Sequence, residues 1–224
     1  MSAYKVRRFM LVLILVALVS IPLSLQPMDS LQLPGVSGGD NRDVPADVAS
    51  LPVKGRAPKT GYERSQFGAG WGSVDGCDTR NTILMRDLKQ TTVDENCRVI
   101  SGLLDDPYTG KTITFTRGET TSDDVQIDHV VALSDAWQKG AQQLSYETRV
   151  SLANDPLNLL AVDGPVNQQK SDGDAATWLP PNKVFRCQYV QRQVNIKHKY
   201  SLWVTSAERE AMARILGTCV SNNK

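Results

Sequence analysis

Five polar residues in the second half of the chain carry types and spacing suited to chemistry: Asp128, His129, Asn158, Asn167 and Lys170. An imidazole titrates near neutrality and can move a proton. Carboxylate and amide oxygens are hard ligands for a small divalent cation. Asp128 and His129 are adjacent at the end of the apolar run Val125 to His129, and the apolar register resumes at Val130-Val131. Neighbouring side chains of a strand point to opposite faces, so one site can use both only where the strand ends or distorts. On that pair alone the better reading is a strand end facing water. The second stretch, Asn158-Leu159-Leu160-Ala161-Val162-Asp163-Gly164-Pro165-Val166-Asn167-Gln168-Gln169-Lys170, changes the balance.

The elements that must position these residues are legible in outline. Val125 to His129 and Leu157 to Val162 are expected strands. Pro165 suits the first position of a helix with Gly164 as its N-cap. That helix carries Asn167 in its first turn and Lys170 three residues later on the same face. Upstream, Asp78 is expected to cap a helix from Thr79 to about Lys89. Cys97 to Leu104 and Lys111 to Thr116 are expected to form a hairpin around Asp105-Asp106-Pro107-Tyr108-Thr109-Gly110. Tyr62, Phe67 and Trp71 interleave with glycines, as in a loop pinned by aromatics. Ser134 to Gln143 reads as a helix, and Ser145 caps a short one. A helix from about Lys183 to His198 follows. Thr205 to Glu208 reads as a capping box for a last helix stopped by Gly217.

Composition narrows the classes. The 224 residues allow one good-sized domain with extensions. Seven of the 25 Lys/Arg but only four of the 24 Asp/Glu fall in residues 1–60, which leaves residues 61–224 at a net charge of −2. Such a domain does not grip polyanions through a global basic field, so nucleic acid would need a local patch and a metal. Two histidines exclude a multi-histidine zinc site. The four cysteines, Cys77, Cys97, Cys187 and Cys219, form no CxxC pair. An even number behind an export signal reads as two disulfides. Three pairings are open, and the one local in sequence, Cys77–Cys97 with Cys187–Cys219, is expected.

Lys5, Arg7 and Arg8 precede an apolar run of 17 residues, Phe9 to Leu25. A basic stretch followed by an apolar run is an export signal, with cleaved peptide and retained membrane tether both open. The expected organisation is a signal peptide or anchor over 1–26, a disordered linker over 27–60 and a folded domain over 61–224. The product is thus secreted, or tethered at the cell surface through residues 9–25.

The order Asp128-His129, Asn158, Asn167 resembles the HNH nuclease superfamily, whose ββα-metal (His-Me finger) fold also occurs in RNA-guided CRISPR nucleases. The runs Gly76 to Asn81, Asp106 to Gly110, Ile127 to Leu133, Asn154 to Leu159 and Trp178 to Pro181 are similar to those of secreted actinobacterial HNH-family proteins. Their domain is similar to the C-terminal nuclease domain of GmrSD-type modification-dependent restriction enzymes, and the likeness covers most of residues 62–219. Gln168-Gln169 stands where relatives often carry Arg-Ser, and Ser171 where Gly is usual. An arginine contact to phosphate from position 168 is therefore absent.

The resemblance implies an α+β fold, a ββα-metal core with an added β-hairpin and flanking helices. It implies an endonuclease that hydrolyses phosphodiester bonds of nucleic acid, DNA before RNA, leaving a 5′-phosphate and a 3′-hydroxyl. His129 would be the general base and Asn158 would accept from its Nδ1–H, leaving Nε2 toward water. Asp128 and Asn167 would hold Mg²⁺, with Mn²⁺ as a substitute, and Lys170 would offer a charge to the phosphate. No small-molecule cofactor is expected. No helix-turn-helix or zinc-finger pattern is present, so sequence preference is expected to be low. Arg80 and Arg149 read by default as surface or ion-paired residues, and Lys197 to Tyr200 as a solvated helix face. The competing readings are a non-catalytic, disulfide-braced extracellular binding protein on the same fold, and a hydrolase of small phosphodiesters.

Overall fold

The structure, a computed structural model, describes residues 44–221. The expected signal segment 1–26 lies outside the described residues. Among them, no helix is long and apolar enough to cross a membrane. The fold is mixed α+β with two disulfides, Cys77–Cys97 and Cys187–Cys219, the pairing local in sequence.

Of the linker expected over 27–60, residues 27–43 lie outside the described residues, and the described part from Val44 packs on the domain. Helix α1 (Ala46–Ala49) buries Val48, and Leu51 follows it into the same core. Val53 bridges Val204, and Ala57 N–H donates to the Gln138 carbonyl at 2.8 Å. Isolated anchors hold this segment, and isolated anchors leave no apolar period in the sequence.

Strands β1 (Ser73–Val74) and β2 (Cys77–Asp78) form a short antiparallel pair. Helix α2 (Thr79–Asp87) follows, with the Asp78 carboxylate accepting from Asn81 N–H as its N-cap. It ends two residues earlier than expected, because β3 (Leu88–Val93) begins there. Strand β3 joins β4 (Val99–Asp105) and β5 (Thr112–Thr116) in an antiparallel sheet of order β3-β4-β5, so the expected hairpin gains a third strand.

The pair that matters for the site is β6 (Val125–His129) with β7, Leu159–Asp163, antiparallel in continuous register from Val125↔Asp163 to His129↔Leu159. Between them lie α3 (Leu133–Gln138) and α4, Tyr146–Asn154. The helix expected to run from Ser134 to Gln143 is broken at Gly140, whose φ of 122° no L side chain adopts comfortably. Helix α5 (Gly164–Lys170) closes the unit, with Asp163 rather than Gly164 as its N-cap. A Cβ at Gly164 would overlap the Asp123 carbonyl oxygen, so only glycine lets α5 start against this loop. Helices α6 (Arg186–Lys199) and α7 (Ser206–Ser221) complete the chain. Helix α7 runs through Gly217, and Cys219 on its extra turn pairs with Cys187 on α6.

The β6–β7 ribbon divides two cores. One face puts Val125, Ile127, Leu159 and Ala161 against Ile83 and Leu84 of α2 and Phe115 of β5. The other puts Leu160 and Val162 against Tyr189, Val190 and Val194 of α6. Strand β7, buried on both faces, is accordingly apolar at four of its five positions, whereas β6 keeps Gln126, Asp128 and His129.

Candidate active site

Asp128 and His129 occupy opposite faces of β6, as strand geometry demands, and β6 ends at His129. They nonetheless line one cavity. It measures about 480 Å³ and is bounded by Gln126, Ile127, Asp128 and His129 in succession, together with Asn167 of α5. Four consecutive strand residues can line one cavity only where it passes the strand's unpaired edge. Strand β6 has such an edge because its sheet has two members.

Helix α5 meets this edge at two points. Asn167 Nδ2 donates to Gln126 Oε1 at 2.9 Å, and Lys170 Nζ donates to Asp128 Oδ1 at 2.9 Å. Positions 126 and 128 share a strand face and 167 and 170 share a helix face, so the two contacts fix one register between helix and strand. The Asn167 amide nitrogen is thereby occupied, and among the described residues no donor contacts its side-chain oxygen.

His129 is 7% exposed and lies near parallel to the Trp71 ring, centroids 5.8 Å apart. Its Nε2 is 2.9 Å from the Ala153 carbonyl oxygen, which can only accept, so Nε2 carries the proton. Burial pushes the imidazole down to about 4, against the opposing pull of the Ala153 carbonyl and the Asp128 carboxylate. At neutral pH the ring is uncharged and Nδ1 is its basic nitrogen. This reverses the expected tautomer.

Asn158 does not orient His129. Its Oδ1 accepts from Val131 N–H at 2.8 Å, and its Nδ2 donates to the Val131 and Leu152 carbonyls, each at 3.3 Å. Its backbone carbonyl accepts from Val130 N–H at 2.8 Å. Asn158 therefore staples the chain leaving His129 to the end of α4, whose Ala153 carbonyl holds the ring. Lys170, expected to face a phosphate, is also corrected: it is fully buried between Asp128 Oδ1 and the His129 carbonyl, the latter 2.9 Å away.

Four participants were not singled out in the sequence. Tyr108, read only as turn chemistry, donates its hydroxyl to Asp128 Oδ2. Trp71, read as a loop pin, lies beside the imidazole. Arg64 and Lys59 line the cavity, joined there by Arg80, whose side chain also donates to the Ser122 and Val125 carbonyls. Single basic residues spread over a loop, a 3-10 turn and a helix leave no pattern to read. Arg149, by contrast, is spent on Gln66 and the Leu144 carbonyl. The supposed solvated face at 197–200 is divided: Lys197 and Tyr200 are buried, and His198 Nε2 donates to the Asp47 carbonyl, 2.7 Å away.

Asp128 and Asn167 are the side chains that could hold a divalent cation. They offer one carboxylate and one amide, both hard oxygen donors, on the wall of a shared cavity. A carboxylate has about four acceptor positions, and Tyr108 and Lys170 use two of them. Among the described residues no group of three or more His, Cys, Asp or Glu side chains forms a closed cage. Mg²⁺ commonly keeps several waters and is held by one or two carboxylates together with substrate oxygens.

The fold and the cavity together define an α+β domain with a neutral imidazole, a clamped carboxylate, a Lys59–Asp172 ion pair and the cationic Arg64 and Arg80 at one opening. The chain belongs to the family described as GmrSD restriction endonucleases, C-terminal domain, whose model matches residues 78–215. It is 40% identical over 175 residues to a protein of Arthroderma benhamiae called an uncharacterized secreted protein, a match covering 77% of this chain and 82% of that protein. No solved structure matches it.

Proposed function

We propose that the protein is an exported, divalent-metal-dependent endonuclease of the HNH, ββα-metal type, acting on DNA with low sequence preference. One observation carries the reading: a neutral His129 with an unprotonated Nδ1 shares a cavity of about 480 Å³ with Asp128, Asn167, Lys59, Arg64 and Arg80. Its family is named for restriction endonucleases, which supports a nucleic-acid substrate. The relative called secreted, the apolar run Phe9 to Leu25 and two disulfides support export.

In this reading His129 Nδ1 takes a proton from the water that attacks phosphorus, while Nε2–H stays on the Ala153 carbonyl. The P–O bond to the 3′ oxygen then breaks, and that oxygen leaves with the electron pair and takes a proton from a solvent water, giving a 5′-phosphate and a 3′-hydroxyl. Asp128 and the Asn167 oxygen would hold Mg²⁺ or Mn²⁺, which supplies Lewis-acid stabilisation of charge on the phosphoryl and leaving oxygens. Arg64, Arg80 and Lys59 attract the flanking phosphates. Trp71 limits the freedom of the imidazole ring. The strand–strand–helix unit β6–β7–α5 is the counterpart of the family's metal-binding core.

The test is incubation of the purified protein with circular DNA, linear DNA and RNA, with magnesium or with chelator. Magnesium-dependent cleavage of DNA within the chain is expected. Hydrolysis of bis(p-nitrophenyl) phosphate with no polymer cut would favour a small-phosphodiester hydrolase. No turnover of either by folded protein would favour the binding protein.

A further inference from the structure

Asp128 is held from both sides, and one of the two holders sits in a setting that supplies its own control. Tyr108 is wholly buried, in the turn Asp106 to Gly110 between β4 and β5. That turn is fixed independently of the cavity: Asp106 Oδ1 accepts from Tyr108 N–H at 3.3 Å and from Asp163 N–H at 3.0 Å, and its Oδ2 accepts from Thr109 N–H at 2.7 Å. Asp163 is the N-cap of α5, so the same carboxylate ties the turn to the helix that carries Asn167 and Lys170. The Tyr108 ring packs among Trp178, Phe185 and Tyr189, with centroids 5.0, 6.2 and 5.7 Å away. Its hydroxyl therefore has one direction to go, and it goes to Asp128 Oδ2.

We infer that Tyr108 is a positioning residue for cation binding: with Lys170 it locks both oxygens of Asp128, so the carboxylate meets a divalent ion in one pre-set orientation. The inference rests on the proposal that Asp128 is a ligand. Tyr108 reaches the ion only through Asp128, so it is not a catalytic residue. Buried partners of metal ligands set ligand geometry, and their loss typically lowers metal affinity by about 10–100-fold. A freely rotating carboxylate would have to be ordered on binding, whereas a clamped one is ordered by folding.

Tyr189 makes the comparison clean. It is equally buried, touches the Tyr108 ring, and its hydroxyl accepts from Gln193 Nε2 at 3.1 Å instead of meeting Asp128. The experiment measures Mn²⁺ and Mg²⁺ binding by calorimetry on the full-length protein, Tyr108→Phe and Tyr189→Phe, beside their melting temperatures. Tyr108→Phe is expected to bind the ion at least about tenfold more weakly, and to need correspondingly more magnesium for half-maximal cleavage. Tyr189→Phe is expected to bind like the parent, whatever its melting temperature. Equal affinity in Tyr108→Phe and the parent, or equal losses in both variants, overturns the positioning role and leaves the cation site standing. A parent protein that binds neither ion overturns the cation site itself.

Discussion

Two buried lysine–carboxylate groups lie in this domain, and they differ in what they leave open. Around Lys139, the carboxylates of Asp135, Asp174 and Glu208 stand 2.6 to 2.7 Å from Nζ. Lys197 reaches Glu208 at 3.0 Å, and Arg56 reaches Asp135 at 2.9 Å and Asp174 at 2.7 Å. Three cations meet three carboxylates, and the group joins α3, α6, α7 and the N-terminal segment. At the other group, Lys170 meets one carboxylate, Asp128, besides the His129 carbonyl, and Tyr108 is a neutral second donor to Asp128. Asp128 and Asp135 are almost equally buried, at 5% and 2% exposure, so burial does not separate a strut from a site. Stoichiometry and access do: the first group is a closed, balanced network, and the second keeps acceptor capacity on a cavity wall.

That contrast makes the two groups fail differently. Lys139→Met leaves three carboxylates partly uncompensated in the interior, and a loss of about 3–5 kcal/mol is expected by denaturant titration. Cleavage per folded molecule should be unchanged. Reduced activity at full stability would mean that the closed group also serves the site.

The disulfide Cys187–Cys219 joins the two helices that carry Lys197 and Glu208. Replacing both cysteines by serine should cost roughly 2–4 kcal/mol. In the Lys139→Met background the two losses should combine non-additively, because both substitutions loosen the same helix pair. Strict additivity in a double-mutant cycle would separate the network from the crosslink.

Acid should reach the two regions in turn. The His129 imidazole is depressed to about 4, so its neutral burial contributes stability that is complete above about 6.5 and is lost as pH falls toward 4. Burial works to raise the Asp174 carboxyl, but Lys139 and Arg56 outweigh it and hold it at about 2. That contribution is complete above about 3.8 and is lost as pH falls toward 2. Melting temperature followed against pH should decline through both windows, and His129→Gln should remove the upper one only. A variant that keeps the upper decline would assign it to another group.

The smallest stability effect belongs to the cavity wall. Asn167 is half-buried and among the described residues its side-chain amide bonds only Gln126, so Asn167→Ala should change stability by less than about 1 kcal/mol. Its cation affinity should nonetheless fall at least about tenfold. Unchanged affinity would leave Asp128 as the lone protein ligand.

Much of this was legible where local signals govern. Strand β6 has the bounds its apolar run implies, and Asp78 and Ser145 cap the helices they precede. The disulfides follow the local pairing. What was not legible depends on which distant group a side chain meets. Nothing in the sequence says that Asn158 bonds Val131 rather than His129, or that Tyr108 leaves its turn to reach Asp128. Glu208 illustrates the same limit. Its N–H takes the Thr205 hydroxyl as the expected cap, yet its carboxylate is spent on Lys139 and Lys197. Ser171, noted for standing where glycine is usual, has φ of 51°, the left-handed backbone that explains the usual residue.

The central claim is that His129 removes a proton from water in a reaction at phosphorus. Single-turnover cleavage of plasmid DNA at saturating magnesium, with parent protein and with His129→Ala of matched melting behaviour, tests it most directly. The account predicts a rate lower by about 10²–10⁴-fold in the variant, with ion affinity retained. A variant that cuts as fast as the parent would contradict it.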